Sequence, residues 1–374
     1  MASTRRLLVL DHWLDGSRTP SRRAGRVTIR AAREPFAELA DLALASVDEF
    51  EAASDVRTRS PGPDANRAVE CFEDAAYDLE ERPADSILAL TESAQGWPVA
   101  RPRSFDRVLD RLDEAADRLR AKGNVLVFLP WTDELVPAFE RVCEALLRAE
   151  RVLVVSDARA PFVSDLVVDA LIRAGWPPDR LGLLHGLDVP GALAGLANGW
   201  RLEGLAEREW VRTLKRKADE PGFVRLAVPR STGVSVSALD VERSNGVERL
   251  ARRGVARGLE PLFGQAPDSV AVWHVATDVF APFEEAFVAA FDEHPMVLEP
   301  GPLIDAGQVE RFAQKIVQGL DEGATLVRGK RQDDARARRR PLVSPALFTN
   351  AEARGRLALS DAPLPVLSLV RARS

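Results

Sequence analysis

A chain of 374 residues with 46% hydrophobic and 29% charged residues has the make-up of a globular protein built as one large α/β domain or two joined ones. Its net charge of -6 argues against an extended phosphate-binding surface, so no nucleic-acid partner is expected. No apolar run reaches the length of a membrane span, the start "MASTRRLLVLDHWLDG" is too short in its apolar part for a secretory signal, and Cys71 and Cys143 stand far apart in no metal spacing, which together predict a cytoplasmic protein with no membrane partner.

The first elements are helical by period. "FAELADLALASVDEFEAA" (36–53) and "ANRAVECFEDAAYDLEER" (65–82) repeat apolar residues at three- and four-residue spacing, with the polar break "RTRSPGPDANRA" between them. In "SFDRVLDRLDEAADRLRAKGN", Phe105, Val108, Leu109, Leu112, Ala116 and Leu119 share a face, and Gly123 ends the helix. The period then changes. "NVLVFLP", "RVLVVS" and "LGLLHG" are short continuous apolar runs, as expected of strands covered on both sides, and helical patterns separate them. Right-handed crossovers would set these three strands side by side in a parallel, Rossmann-like sheet. Beyond residue 186, "ALAGLANGW" and "EREWVRTLKRKAD" read as helices and "GFVRLAVP" as a strand.

A second α/β region follows. Strand "GVSVSAL", helix "GVERLARRGVARGLEPL", strand "SVAVWHV" and helix "FAPFEEAFVAAFDE" lead to helix "AGQVERFAQKIVQGLDEGA", strand "TLVRG", segment "PLVSPALFT" and a last strand, "PVLSLVRA". The expected division is a Rossmann-like domain over residues 1–230, amino-terminal helices included, and a second α/β domain over 231–374. The basic cluster Arg336, Arg338, Arg339 and Arg340 reads as a solvated loop. His12, His185, His274 and His294 are scattered with no metal spacing, so no metal site is expected, and the seven tryptophans read as core or loop anchors.

The order of these segments resembles the aldehyde dehydrogenase superfamily. "VLDHWLDGSR" is similar to that family's amino-terminal strand pair, "NVLVFLPWTDELVPAF" to the strand that ends in its Pro-Trp-Asn loop, and "RVLVVSDARAPFVSDLVVDALIRAGWPPDRLGLLHG" to the next strand–helix–strand. "GPLIDAGQVERFAQKIVQGLDEGATLVRG" and "SPALFTN…DAPLPVLSLVRA" resemble later parts of its catalytic domain. The resemblance implies a Rossmann-like domain joined to a second α/β domain. It also implies a chemistry in which a cysteine thiolate attacks an aldehyde and the adduct passes hydride to a nicotinamide. That chemistry needs a nucleophile, an oxyanion donor, a general base and a cofactor cradle.

Set against the family pattern, each requirement is altered. "GLEPLFGQAPDSV" matches the loop Gly-Gln-x-Cys at Gly264 and Gln265, but Ala266 and Pro267 stand where the thiol belongs, by substitution or by a small deletion. Pro130-Trp131-Thr132 replaces Pro-Trp-Asn. Ala227 replaces the general-base glutamate, and Val155 a ribose-binding lysine. Gly186 and Gly204 line what remains of the cofactor cleft, where Glu209 takes a second small position, and Asp361 replaces a late glutamate. Asp268 and Asp361 do not form a credible acid–base pair without a cradle. No cofactor is therefore expected, with retained NAD(P) binding as the alternative.

The family's arm between helix and strand is reduced to Lys122 and Gly123, and the chain stops after "PVLSLVRA". The resemblance then implies an inactive relative that serves as a binding, scaffolding or regulatory subunit, partnered by a full-length aldehyde dehydrogenase or another protein. An oxidoreductase of cysteine-independent chemistry and a nucleotide-sensing module are the alternatives.

Overall fold

The computed structural model describes residues 8–21, 25–33, 37–56, 58–81, 85–98, 104–117, 122–206, 208–217, 224–227, 232–267, 269–330, 342–358 and 363–372. Two compact units divide it. The first comprises residues 1–31, 36–94 and 99–228, and the second 32–35, 95–98 and 229–374, so two short segments from the amino-terminal half belong to the second unit.

The first unit begins with β1 (Leu8–Leu10), β2 (His12–Leu14), β3 (Ser17–Thr19), β4 (Arg26–Arg30) and β5 (Glu38–Ala43). Asp15 and Gly16, at φ 52° and 73°, make the two-residue turn that joins β2 to β3. Helices α1 (Val47–Ser54), α2 (Ala65–Glu81), α3 (Asp85–Gln95) and α4 (Asp106–Ala116) follow. An alternation of parallel strands and helices comes next: β6 (Asn124–Leu129), α5 (Leu135–Arg148), β7 (Arg151–Ser156), α6 (Phe162–Arg173), β8 (Leu181–His185), α7 (Val189–Ala197), β9 (Arg201–Leu205), α8 (Arg208–Lys217) and β10 (Val224–Ala227). The expected helix over 36–53 is corrected here. Its first part is the strand β5, which lies between β1 and β4, and the helix starts only after Ser46, whose backbone N–H donates to the Glu49 carboxylate at 3.0 Å.

The main sheet of this unit has the order β10-β9-β6-β7-β8-β2-β3, and the run from β10 to β8 is parallel. Its strands are apolar on both faces because both faces are covered. Val125, Val127 and Leu129 point into a core with residues of α2, α4, α5 and α6, whereas Leu126 and Phe128 point into one with residues of α1, α7 and α8. Strand order reverses at β6: β7 and β8 extend the sheet to one side, β9 and β10 to the other. In open α/β sheets such a reversal leaves a crevice beyond the carboxyl ends of the two central strands.

The second unit holds β11 (Thr232–Val236), α9 (Ala238–Arg243), α10 (Val247–Leu259), β12 (Val270–Ala276), α11 (Phe280–Glu293), α12 (Pro295–Leu298), β13 (Gly301–Pro302), α13 (Ala306–Asp321), β14 (Thr325–Arg328), β15 (Leu342–Val343), β16 (Ala346–Thr349) and β17 (Val366–Ala372). The strand expected over "GVSVSAL" stops at Val236, because Ser237 caps α9 by accepting from the Asp240 N–H. Five strands form a sheet in the order β11-β12-β17-β16-β14, with only β14 antiparallel among them. One face packs against α10 and α11 through Trp273, Phe283 and Phe287, the other against α13 through Phe312 and Ile316. The basic cluster 336–340 lies outside the described residues.

Two features of these packed layers are unusual. Gly204, in β9 at φ +110°, lies so close to β6 that an added Cβ would stand 2.2 Å from the Phe128 carbonyl oxygen. Lys315, on the inner face of α13, is 3% exposed, its amine makes no hydrogen bond, and burial lowers its pKa to about 8. Gly204→Ala is expected to destabilise the first unit by roughly 2 kcal/mol or more, read by thermal unfolding. Lys315 has the opposite sign. A base with a depressed folded pKa contributes its full stability only above its unfolded pKa, near 10.4, and loses it as pH falls to about 8. Lys315→Met is therefore expected to gain about 2–3 kcal/mol near pH 7, the gain shrinking toward pH ~10, as denaturant titrations at the two pH values would read.

Candidate functional site

The crevice predicted by strand order is lined from both central strands. β6 runs into Pro130, Trp131 and Thr132, and β9 carries Gly204 and Leu205 before α8 begins at Arg208. Trp131 is 6% exposed, with the Arg159 guanidinium 5.7 Å from its ring. That cation is itself held by Asp157, at the end of β7, which accepts from the Arg159 backbone at 3.0 Å and from its Nε at 2.9 Å. Burial pushes the Asp157 carboxyl up, but Arg159 and backbone N–H groups outweigh it, so the pKa falls and the group stays ionised. The loop after β6 is thus clamped to the loop after β7.

Thr132 sits in that clamped loop with a buried hydroxyl that makes no hydrogen bond. Such a group costs about 1–3 kcal/mol unless something else satisfies it. Its neighbour Asp133, 8% exposed, pairs with Arg141, and burial raises its pKa to about 6. Position 155 is different. Val155 is 3% exposed and packs among Leu126, Phe128 and Trp200, so it offers no donor toward a ribose. Gly186, at φ 60°, closes β8 by donating to the Ser156 carbonyl at 2.8 Å. Gly204 has a sufficient reason in the sheet itself, since no side chain fits against Phe128. Ala227 ends β10 opposite Leu205, and Glu209 falls in the first turn of α8. The parallel strands therefore bring Pro130, Trp131, Thr132, Val155, Gly186, Gly204 and Ala227 to or near their carboxyl ends in one sheet.

In the second unit the loop that follows α10 is tightly built. Leu262, Phe263 and Gly264 are all left-handed, with φ of 47°, 58° and 72°. Two consecutive bulky residues in that region cost of order 1–3 kcal/mol each, and surrounding contacts must hold them. Phe263 is fully buried and stacks on Trp97 at 4.6 Å, whose Nε1 donates to the Pro302 carbonyl at 3.0 Å. Gln265 is 1% exposed. Its amide donates to the carbonyls of Leu262 and Pro302 at 3.1 and 3.3 Å and accepts from the Ile304 N–H at 3.1 Å. The glutamine shared with the family pattern is thus a structural keystone of the loop.

What the loop presents is inert. Ala266 is 7% exposed and Pro267 half-buried, and the nearby Ser269 hydroxyl is spent on the Pro261 carbonyl at 3.3 Å. Cys71 lies in α2 and Cys143 in α5, both buried in the first unit, where burial pushes their thiols up. Asp268 and Asp361 lie outside the described residues. No group of metal-binding side chains occurs among the described residues, and none of their helices is long and apolar enough to cross a membrane.

The histidines are a point the sequence reading missed. His12 and His185 are 173 positions apart, yet both are fully buried with ring centroids 5.8 Å apart. The only hint in the sequence is that each polar ring ends or interrupts an apolar run, "VLDHWL" and "LGLLHG".

Residues 247–374 match the aldehyde dehydrogenase family model. Malonate-semialdehyde dehydrogenase 2 of Bacillus mycoides is 36% identical over 228 residues, 58% of this chain and 45% of that protein. The chain spans about half the length of the curated relatives it matches, 45% and 47%. Among solved structures, an aldehyde dehydrogenase of Mycobacterium tuberculosis complexed with NAD+ superposes with a TM-score of 0.82 at 16% identity, over 99% of this chain and 82% of that one. An NAD+ complex of the aldehyde dehydrogenase from Bacillus cereus gives 0.82 at 17% identity, over 98% and 80%. Those two are dinucleotide complexes, which overturns the expectation that no cofactor is taken: a cradle short of a lysine and a glycine was too narrow a basis for it, since the strand ends that form the crevice persist. The chain has the aldehyde dehydrogenase fold, and its residues 247–374 match the aldehyde dehydrogenase family model.

Proposed function

We propose that the protein binds a nicotinamide dinucleotide in the crevice between the carboxyl ends of β6 and β9 and does not carry out thiol-dependent aldehyde oxidation, so that it acts as a nucleotide-responsive binding or regulatory subunit. The observation that carries the first half is the reversal of strand order at β6, the strand whose carboxyl end leads directly into Pro130, Trp131 and Thr132, with a buried Thr132 hydroxyl that makes no hydrogen bond. Pro130, Trp131 and Thr132 would hold the ligand from one side, and the chain from Gly204 to the first turn of α8 from the other. Val155 supplies no bond to the ribose, so affinity rests on these contacts. A bound dinucleotide supplies a hydride acceptor.

The second half rests on the loop of the second unit. Gln265, Trp97 and the left-handed run keep it in shape, but the two residues that follow Gln265 are a buried alanine and a half-buried proline, neither of which attacks a carbonyl. Both thiols of the chain belong to buried helix faces elsewhere. A binding role, with a second protein as the recipient of the nucleotide's effect, requires only the parts that remain.

Calorimetric titration with NAD+ and NADP+ tests the binding. One of the two is expected to bind and to raise the unfolding midpoint, with about 2.7 kcal/mol gained at a hundredfold excess over Kd. Thr132→Val is expected to weaken that binding by roughly fivefold, the worth of one hydrogen bond. Incubation with a panel of aldehydes is expected to yield no NADH. Cofactor reduction that iodoacetamide abolishes would overturn the proposal, and so would a lack of binding at millimolar NAD+ and NADP+.

A further inference from the structure

A buried polar cluster lies at the far edge of the first unit's main sheet, where the β2–β3 hairpin docks on β8. The hairpin's backbone pairing to β8 is confined to Trp13 opposite Leu183. Side chains do the rest. The His185 N–H, at the last position of β8, donates to His12 Nδ1 in β2 at 3.3 Å. His185 Nδ1 shares a 2.7 Å hydrogen bond with the Ser156 hydroxyl at the end of β7. Arg18 of β3 crosses over the Trp13 ring, 4.4 Å from its centre, and grips Asp165 of α6 with both terminal nitrogens. Asp165 in turn lies 3.9 Å from His185 Nε2.

Among the described residues, the charged groups that face the two rings come from these and adjoining elements. Asp11 lies beside β2 and binds Arg26 of β4 at 2.8 Å, and Arg26 also binds Asp41 of β5 at 2.7 Å. Glu49 of α1, 2% exposed, accepts from the Ser21 hydroxyl at 2.8 Å and the Ser46 N–H at 3.0 Å. The Leu44 carbonyl leans toward His12 and that of Asp11 toward His185, but neither Nε2 makes a hydrogen bond of good geometry. Burial outweighs Glu49 and Asp11 at His12 and lowers its pKa to about 4. At His185, burial comes first, then the neighbouring His12 and Arg18, and its pKa falls well below the usual value.

Docking therefore favours neutral rings: burial removes both from solvent, and two imidazolium ions with centres 5.8 Å apart would repel each other and Arg18, which the carboxylates of Asp165, Glu49 and Asp11 offset only in part. We propose that His12 and His185 form a proton-operated latch, closed when both rings are neutral, which releases the β2–β3 hairpin from the edge of β8 on acidification. Released rings regain an ordinary pKa near 6.5. The open form thus takes up protons that the closed form refuses, and the sign is fixed: docking is strongest above about pH 6.5 and weakens as pH falls from there toward about 4.

Hydrogen exchange on the full chain, read by mass spectrometry and corrected for intrinsic exchange, tests this directly. From about pH 6.5 down to about pH 5, opening of residues 11–19 is expected to rise by roughly 10- to 100-fold per pH unit, the value for one or two coupled protons. Residues 270–276 in the second unit serve as the control and are expected to keep a flat profile. In the variant His12→Gln/His185→Gln the level of opening is higher, but its pH slope over 11–19 is expected to vanish. A slope that survives there would assign the effect to Asp165 or Glu49 and overturn the latch. Should the variant fail to fold, the ring resonances of the wild-type protein decide: neutral imidazoles down to pH ~5 support the latch, and a titration near 6.5 in the docked state sinks it.

Discussion

The backbone approach between β6 and β9 is the constraint on which the rest of the first unit turns. It requires Gly204, because the Phe128 carbonyl oxygen occupies the space of any side chain, and it joins the two strands between which strand order reverses. Everything of functional interest in that unit then lies at the carboxyl ends of the strands: the Pro130–Thr132 loop, the Asp157–Arg159 clamp and the start of α8. A glycine that looks like a relic of phosphate binding is first of all a condition for the sheet to exist.

The second unit shows a similar separation of shape from chemistry. The loop after α10 pays for two left-handed bulky residues with the Trp97–Phe263 stack and three hydrogen bonds to the Gln265 side chain. None of those contacts involves Ala266 or Pro267, so loss of a reactive group there leaves the support intact. Such a loop can be kept for packing alone, since it holds β13 and the start of α13 in place. A binding role for the protein is compatible with this arrangement, whereas a thiol mechanism would need a group the loop lacks.

Much of this was legible in the sequence, and the parts that were not share a cause. β6, β7 and β8 announce themselves because a parallel strand covered on both sides must be apolar at every position, and the order of the motifs carries the family resemblance. Residues 36–53 mislead because Leu39, Leu42 and Phe50 recur at helical spacing, while the pairing that makes 38–43 a strand comes from β1 and β4, which a local window does not contain. Lys315 lies three positions from Phe312 on the buried face of α13, a placement that the helical pattern alone does not disclose for a lysine. His12 and His185 meet only through strand order, and no spacing in the chain foretells it. Of the site, the strand-end positions were readable from motif order; the unsatisfied Thr132 hydroxyl and the keystone role of Gln265 required coordinates.

The burial of both cysteines has a chemical corollary. Enzymes that work through an exposed thiolate are poisoned by peroxide and by the electrophilic aldehydes they handle, since the group that attacks substrate also attacks oxidants. Cys71 and Cys143 are enclosed in helix-packing cores with their ionisation suppressed. The folded protein thus offers oxidants and alkylating agents no exposed thiolate at Cys71 or Cys143, and modification of either thiol is expected to require local unfolding of the helix that carries it.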